Sequence, residues 1–223
     1  MITGTDTSVG KTLIAAAIAH TWTRQSRRVG VLKPVETGCA DGPPLDALAL
    51  RAAAGDRHPL DLVCPLHFRT PASPHTAALL EGRPPPTLDA ILRSAALLAA
   101  DSDVLLIESA GGLLVPLAPG LLFVDVAAAL GAPVLIVART RLGTLNHTLL
   151  TLEALARRAL PLAGIVLNAT EASAGPEENL VANRLADHSD ARLFGHVPHL
   201  GLLSRTPEQV APHLDLEGLW ELL

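Results

Sequence analysis

The sequence has 223 residues, a length typical of one large α/β domain, and its formal net charge is −5. Only 2% of its residues are aromatic, and none is tyrosine. The acidic net charge disfavours a protein that binds nucleic-acid phosphates, and the scarcity of aromatic rings argues against a platform on which bases stack.

The hydropathy pattern predicts no membrane span. The most apolar segment, 113–138, is broken by three prolines and an aspartate, whereas a bilayer span needs about 20 consecutive apolar residues. A glycine-rich motif begins at Gly4 with no basic segment before it, so no signal peptide is expected. Two cysteines, Cys39 and Cys64, are too few for a disulfide framework or a four-cysteine metal site. We therefore expect a cytoplasmic protein.

Short apolar runs alternate along the chain with longer segments rich in alanine and leucine. After a strand remnant at 1–3, the predicted strands are 29–33, 103–108, 133–137, 162–168 and 192–195. The predicted helices are 12–25, 45–54, 88–100, 144–159 and 177–187. Strands that are apolar throughout and alternate with helices indicate a mostly parallel sheet covered on both faces. We expect residues 1–223 to form a single α/β domain, with ligands beyond the carboxyl ends of the strands.

The first strand is very short, since only Met1, Ile2 and Thr3 precede the first glycine. A central strand usually has about five residues. Either this strand is unusually short, or the natural start lies upstream and the chain is clipped; the residue count favours the second interpretation.

Residues 4–12, GTDTSVGKT, have the pattern of a phosphate-binding loop between a strand and a helix. Gly10 permits a sharp turn whose N–H groups point at an anion, and the following helix contributes its positive end. Lys11 is expected to reach the β- and γ-phosphates, and the Thr12 hydroxyl to hold Mg²⁺. The first glycine sits one place early, with Thr5 in its usual position, so the loop is a variant. A chance glycine turn is the alternative, which the strand–loop–helix context disfavours.

Charged residues follow two later strands at the same sheet edge. Lys33 ends the second strand, where a cation would neutralise a transferring phosphoryl group. Glu108 ends the third, where a carboxylate would hold Mg²⁺ or its waters. Gly111 and Gly112 follow it and would let a ligand approach the backbone. Solvated strand-end charges are the alternative for both Lys33 and Glu108.

Other polar residues have two interpretations each. Asp46 opens a predicted helix, and local sequence alone favours an acid that stabilises the helix dipole. Asn168 and Pro198 follow the last two strands, where a nucleotide base would lie, although Asn168 also suits a turn. The nine histidines form no metal-ligating pattern.

Taken together, the motifs resemble those of dethiobiotin synthetases, ATP-dependent enzymes of biotin biosynthesis in the P-loop NTPase superfamily. They occur in family order over about residues 1–170 and are GTDTSVGKT at 4–12, KPVETG at 33–38, DALAL at 46–50, SPH at 73–75, ESAGG at 108–112 and LGTLNH at 142–147. The sequence departs from the family at Ser109, where glycine is frequent, and at Ser8, where an acidic residue occurs.

The resemblance implies a homodimeric, Mg²⁺-dependent ligase acting on 7,8-diaminononanoate, CO₂ and ATP. One amine captures CO₂ as a carbamate, ATP phosphorylates the carbamate, and the second amine closes the cyclic urea of dethiobiotin. ADP and phosphate are released. No protein nucleophile is needed, because the attacking amines belong to the substrate.

The resemblance also assigns roles to individual positions. Lys11, Lys33 and Thr7 would act in catalysis, and Mg²⁺ would be held by Thr12, Asp46 and Glu108. Substrate would be contacted by Thr7, Thr37, Gly111 and Gly112, and by Asn146 of the other subunit. The nucleotide would be bound by Thr5, Asp6, Ser8, Val9, Gly10, Lys11, Thr12 and Asn168, with Pro198 and Glu208 as weaker candidates.

Two other functions fit the fold class less well. Partition-type ATPases carry a signature lysine early in the loop, where this chain has Asp6, and the acidic net charge disfavours binding to DNA. A cobyrinate-type amidotransferase would need an additional glutaminase domain, for which 223 residues leave no room.

Overall fold

Six parallel strands form the central sheet of the molecule. A computed structural model describes residues 1–40, 42–172, 180–201 and 205–222. The strands of the described residues are β1 Ile2–Gly4, β2 Val29–Leu32, β3 Val104–Gly112, β4 Pro116–Ala118, β5 Leu121–Leu122, β6 Val134–Arg139, β7 Leu162–Asn168 and β8 Leu193–Val197. The order in the sheet is β2-β3-β1-β6-β7-β8, while β4 and β5 form a separate antiparallel pair. The sheet confirms the predicted P-loop type of α/β fold.

Helices surround this sheet. They are α1 Lys11–Arg24, α2 Leu45–Ala53, α3 Leu60–Val63, α4 Pro74–Leu80, α5 Leu88–Ala99, α6 Phe123–Leu130, α7 Thr144–Ala156, α8 Val181–Ala186, α9 Pro207–Val210 and α10 Leu216–Trp220. In the described part of the chain, no helix combines the length and the apolar character that a membrane crossing needs.

The sheet is covered on both faces because its strands alternate between two apolar cores. In β6, Leu135 and Val137 pack into one core, whereas Val134, Ile136 and Ala138 pack into the other. Neighbouring side chains of a strand point to opposite faces, so a strand that is apolar throughout requires a cover on each side. This is the arrangement that the apolar runs predict.

The short strand β1 lies at the centre of the sheet. All three of its residues are buried, and Ile2 pairs with Glu108 of β3 on one side and with Leu135 of β6 on the other. The Met1 backbone carbonyl continues the pairing by accepting a hydrogen bond from the Leu135 N–H at 2.8 Å. Pairing on two sides lets three residues support the loop that begins at Gly4.

Most differences from the predicted elements concern short segments. β3 continues four residues beyond its predicted end, through Gly112, so Glu108 lies inside the strand rather than at its end, and Gly111 and Gly112 belong to the strand rather than following it. The helices α3, α4, α6, α9 and α10 and the β4–β5 pair were not predicted. Helix α6 lies inside the long apolar segment and begins where the Asp125 carboxylate accepts a hydrogen bond from the Leu122 N–H at 2.7 Å. The predicted start of the helix at 177–187 lies outside the described residues, and α8 covers the rest.

Candidate active site

The loop after β1 and the ends of β2 and β3 form one polar cavity of about 410 Å³. Five charged or hydroxyl-bearing side chains that the sequence nominates line it together, namely Lys11, Thr12, Lys33, Asp46 and Glu108. Thr7, Ser8, Gly10, Thr37 and Gly111 complete the part of the lining that the sequence predicts. Residues far apart in the chain meet here because parallel strands bring their carboxyl ends to one edge.

The backbone of the loop depends on its two glycines. Gly10 has a φ of 98°, and a Cβ at this position would lie 2.1 Å from Nδ2 of Asn168. That amide nitrogen donates a hydrogen bond of 2.8 Å to the Val9 carbonyl, so Asn168 supports the loop from β7. A Cβ on Gly4 would lie 2.7 Å from the Asp6 carbonyl oxygen, which explains why the first glycine occupies the early position.

Lys33 is buried between two carboxylates. Its Nζ donates to Oδ2 of Asp46 at 3.0 Å and also to Oε1 of Glu108. Burial opposes the charge on this lysine, but Glu108 and Asp46 together outweigh burial and raise the pKa of Lys33. Oε1 of Glu108 also accepts a hydrogen bond from the Thr12 hydroxyl at 2.9 Å. The lysine is therefore a permanent cation beside the loop.

Lys11 is buried, and no carboxylate of the described residues is in hydrogen-bond contact with it. Its Nζ donates to the Asp6 carbonyl at 3.2 Å. Burial lowers the pKa of Lys11 to about 8, although Glu108 acts in the opposite direction. An anion beside its Nζ would offset this burial, as expected of a lysine that meets phosphate oxygens.

The oxygen atoms of this cavity fit Mg²⁺. Magnesium prefers oxygen ligands and usually takes one or two carboxylates together with phosphates and waters. Thr12, Asp46 and Glu108 supply a hydroxyl and two carboxylates, and Oε2 of Glu108 is buried without a hydrogen-bond partner among the described residues. Within the same residues, no group of three or more His, Cys, Asp or Glu side chains forms a metal cluster. A metal held here would thus complete its shell with phosphate oxygens and water.

A second cavity of about 460 Å³ lies on the other side of the loop. The sequence predicts four of its lining residues, namely Ser8, Gly10, Asn168 and Pro198, and Arg139, Glu171 and Arg205 add charge. Its position beside the loop suits the base and ribose of a nucleotide. Glu208 lies on α9, where its carboxylate pairs with Nε2 of His20 at 3.2 Å and is largely exposed.

The remaining loop residues have structural contacts of their own. The Thr5 N–H donates to the Val137 carbonyl at 3.1 Å, which continues the sheet pairing. Val9 is fully buried beneath the loop. The Asp6 carboxylate accepts from the Thr7 N–H at 2.7 Å and pairs with Arg139.

The sequence analysis missed Arg139. It ends β6, and its guanidinium contacts both Asp6 and the Thr7 carbonyl. The predicted strand stopped at residue 137; two more residues would have placed Arg139 at the sheet edge among the candidates. Arg205 carries no such signal, since it follows no predicted strand.

The predicted substrate residues face two neighbouring cavities. Thr7, Thr37 and Gly111 line one of about 520 Å³ together with Pro71 and Ser73. Another, of about 390 Å³, is a groove with Gly4, Thr7, Gly112, His147 and Leu150 in its lining.

Asn146 is exposed in the first turn of α7 and is not part of the groove lining, although the next residue, His147, is. Ser109 is fully buried, with its Oγ 3.0 Å from the Thr3 hydroxyl and donating to the Gly111 carbonyl at 3.1 Å. These contacts hold Ser109 in the interior, away from the cavities.

Comparison with known proteins finds relatives that match most of the chain. A family profile described as an AAA domain matches residues 1–207. The ATP-dependent dethiobiotin synthetase of Anaeromyxobacter dehalogenans strain 2CP-C is 48% identical over 182 residues, which cover 80% of this chain and 78% of that protein. The synthetase of the same name from Aromatoleum aromaticum is 40% identical over 224 residues, covering 97% and 96% of the two chains.

Solved structures share the fold at low sequence identity. The Pyrococcus furiosus cell division ATPase MinD is 17% identical with a TM-score of 0.60, and the match covers 100% of this chain and 99% of that one. A ParA family ATPase from Chlorobium tepidum is 14% identical with a TM-score of 0.55, covering 96% and 89%.

A parallel sheet with this loop, with Lys33 directly after β2 and with Glu108 inside the adjacent strand β3, defines a P-loop NTPase. The similarity to curated relatives over most of the chain narrows the class further. The chain belongs to the family of ATP-dependent dethiobiotin synthetases.

Proposed function

We propose that this protein is a Mg²⁺-dependent ligase that makes dethiobiotin from 7,8-diaminononanoate, CO₂ and ATP. Membership of the family supports the overall reaction. The observation that carries the chemistry is the burial of Lys33 between Asp46 and Glu108, beside Lys11 and Thr12 of the phosphate loop.

The reaction proceeds through a phosphorylated carbamate. One amine of the diamine attacks the carbon of CO₂ and loses a proton, which forms a carbamate. A carbamate oxygen then attacks the γ-phosphorus of ATP, and the bond to the bridging oxygen breaks to release ADP. The second amine attacks the carbamoyl carbon, the C–O bond to phosphate breaks, and the ring closes with loss of a proton.

Lys11 and Lys33 neutralise negative charge where it develops in this sequence. Both lysines line the cavity beside the loop, so they offset charge on the γ-phosphate and on the carbamate oxygen. Thr12, Asp46 and Glu108 would hold Mg²⁺, which supplies further charge neutralisation on the β- and γ-phosphates when bound. The attacking atoms all belong to substrates, so the protein's contribution is positioning and electrostatics.

The substrates occupy opposite sides of the loop in this proposal. Asn168 and Pro198 border the nucleotide in the 460 Å³ cavity. Thr7, Thr37 and Gly111 face the diamine in the cavity beside them. Gly112 lies in the neighbouring groove, where Asn146 of a second subunit would meet the substrate carboxylate.

This last assignment comes from the family resemblance and implies a homodimer, and the exposure of Asn146 leaves it accessible to a second subunit. We also place the enzyme in the cytoplasm, where ATP is available and where two free cysteines, Cys39 and Cys64, remain reduced.

One assay tests the proposed reaction. The purified protein is incubated with ATP, Mg²⁺, bicarbonate and the diamine, and the product is identified by mass. We expect dethiobiotin together with one phosphate per product, and no product when the diamine is omitted. ATP hydrolysis that proceeds at the same rate without diamine and yields no dethiobiotin would instead support an ATPase switch.

A further inference from the structure

Helix α2, which carries Asp46, is capped by a side chain from the segment that connects β2 to it, about ten residues before the capped N–H groups. The residue before the helix is Pro44, and it makes no side-chain cap. Instead, Oε1 of Glu36 accepts a hydrogen bond from the Asp46 N–H at 3.0 Å, and Oε2 accepts one from the Ala47 N–H at 3.0 Å. These are two of the N–H groups that a helix start leaves without a partner.

Glu36 is itself held firmly. It is 7% exposed, its N–H donates to the Leu66 carbonyl at 3.1 Å, and its carbonyl accepts from the Phe68 N–H at 2.9 Å. Burial raises the pKa of Glu36, whereas its two bonds to helix N–H groups act in the opposite direction. Its carboxylate is thus a rigid acceptor fixed at both its backbone and its side chain.

Glu36 and Lys33 hold Asp46 from two directions. Glu36 binds the backbone N–H of Asp46, while Lys33, three residues earlier in the same loop, binds the Asp46 carboxylate at 3.0 Å. A helix cap elsewhere in the molecule would stabilise its helix without contacting a residue that lines the cavity. Here the capped N–H belongs to the residue whose carboxylate lines the site.

We propose that Glu36 is a positioning residue for the metal site, because its carboxylate fixes the start of α2 where Asp46 can bind the divalent cation. The inference rests on the proposed function to the extent that Asp46 is taken as a metal-binding residue. Glu36 acts through Asp46 and does not itself contact metal or substrate.

The test measures binding of Mn²⁺, used as a spectroscopic probe in place of Mg²⁺, with a non-hydrolysable ATP analogue present. Free Mn²⁺ is quantified by electron paramagnetic resonance, which requires no turnover. The variants are Glu36→Ala, Glu36→Gln, Asp46→Asn and the double variant Glu36→Ala/Asp46→Asn. Thermal unfolding and circular dichroism monitor folding of each protein.

Thr87→Ala is the matched control. The Thr87 hydroxyl caps α5 by accepting a hydrogen bond from the Ala90 N–H at 3.3 Å, and the residue lines none of the four cavities described above. This variant loses a helix cap of similar kind away from Asp46. It should lower the unfolding temperature and leave Mn²⁺ affinity unchanged.

We expect Glu36→Ala to weaken Mn²⁺ binding about tenfold, since losing the partner of a metal ligand commonly costs roughly 10–100-fold in affinity. Glu36→Gln keeps the length and one acceptor oxygen, so its affinity should lie between those of Glu36→Ala and the parent protein. In the Asp46→Asn background, Glu36→Ala should cause little further loss, because the two residues act as one unit.

Unchanged Mn²⁺ affinity in folded Glu36→Ala, or a full additional loss in the double variant, would overturn the proposal. So would an Asp46→Asn variant that binds Mn²⁺ normally, because Asp46 would then not be a ligand. If Glu36→Ala does not fold, Glu36→Gln decides the matter in the same assay. Failure to form dethiobiotin would refute the proposed function alone, since Mn²⁺ binding is measured without the diamine.

Discussion

Lys33 and Glu108 form an ion pair whose side chains are only 3% and 1% exposed, respectively; Lys33 directly follows β2, and Glu108 lies inside the adjacent parallel strand β3, just past the pairing of Leu32 with Ile107. Removing two charges from water is costly, and the cost is recovered only when the partners remain together. Asp46 and the Thr12 hydroxyl add the hydrogen bonds that complete this arrangement. Stability and chemistry are consequently coupled at this pair.

Replacing Lys33 alone should therefore lower both the stability of the fold and the rate of dethiobiotin formation. Lys33→Met leaves the buried Glu108 carboxylate without its cation, which typically costs about 3–5 kcal/mol, and should also abolish dethiobiotin formation. The double variant Lys33→Met/Glu108→Gln removes both charges and should recover most of the stability but none of the activity. Urea unfolding and the product assay separate the two effects. Equal stability of the single and double variants would show that the pair is not energetically coupled.

The lowered pKa of Lys11 predicts that nucleotide binding takes up protons. With a pKa of about 8, roughly half of the unliganded molecules at pH 8 carry an uncharged Lys11, whereas nearly all are charged at pH 6.5. Phosphate oxygens favour the charged form and raise this pKa on binding. Calorimetry in buffers of different ionisation enthalpy should show uptake of about half a proton at pH 8 and much less at pH 6.5. Lys11→Arg, whose guanidinium stays charged, should show no uptake from this position at either pH.

Gly10→Ala should disrupt the phosphate loop. A Cβ there would lie 2.1 Å from the Asn168 amide nitrogen, and the φ of 98° strains any residue with a side chain. Affinity for an ATP analogue should fall by at least tenfold, which is about 1.4 kcal/mol at 25 °C, with a parallel loss of thermal stability.

Gly131→Ala is the control for the backbone alone. Gly131 has a φ of 59° at the end of α6, and a Cβ would have no atom within 4 Å. It should lose about 1 kcal/mol of stability and keep its nucleotide affinity. An equal loss of affinity in the two variants would contradict a specific role for the Gly10–Asn168 contact.

Asn146→Ala should raise the KM for the diamine about tenfold or more, since a hydrogen bond to a charged group is worth about 1.5–3 kcal/mol. The KM for ATP should remain unchanged, because Asn146 lies at the start of α7, outside the lining of the nucleotide cavity. A higher KM for ATP with an unchanged KM for the diamine would contradict the proposed contact between Asn146 and the diamine.

Mixing two variants tests whether Asn146 acts across subunits. Neither Asn146→Ala nor Lys33→Met should be active at low diamine concentration. A heterodimer of the two would have one site with both parent residues, so exchanging subunits should restore activity. No recovery after confirmed exchange would place Asn146 in the same subunit as the site it serves.

The sequence predicted much of the site because its chemistry lies in contiguous motifs. The loop at 4–12 follows β1, Lys33 follows β2, and Glu108 lies inside β3 at the level where β2 ends, so the parallel strands bring all three to one edge. Arg139 was missed because β6 continues to residue 139, beyond its predicted end at 137. Short helices such as α3 and α9 were missed because four residues cannot show a helical period.

The amino-acid sequence by itself determined the alternation of strands and helices, the phosphate loop and the residue types that suit phosphate and metal binding. These features arise from local pattern, which neighbouring residues determine. Only the tertiary structure decided the partners: Glu36 as the cap of α2, Asn168 beneath Gly10, and Lys33 between two carboxylates. Such contacts join residues from 10 to 159 positions apart in the chain, and no local pattern specifies which distant group lies within hydrogen-bond distance of another.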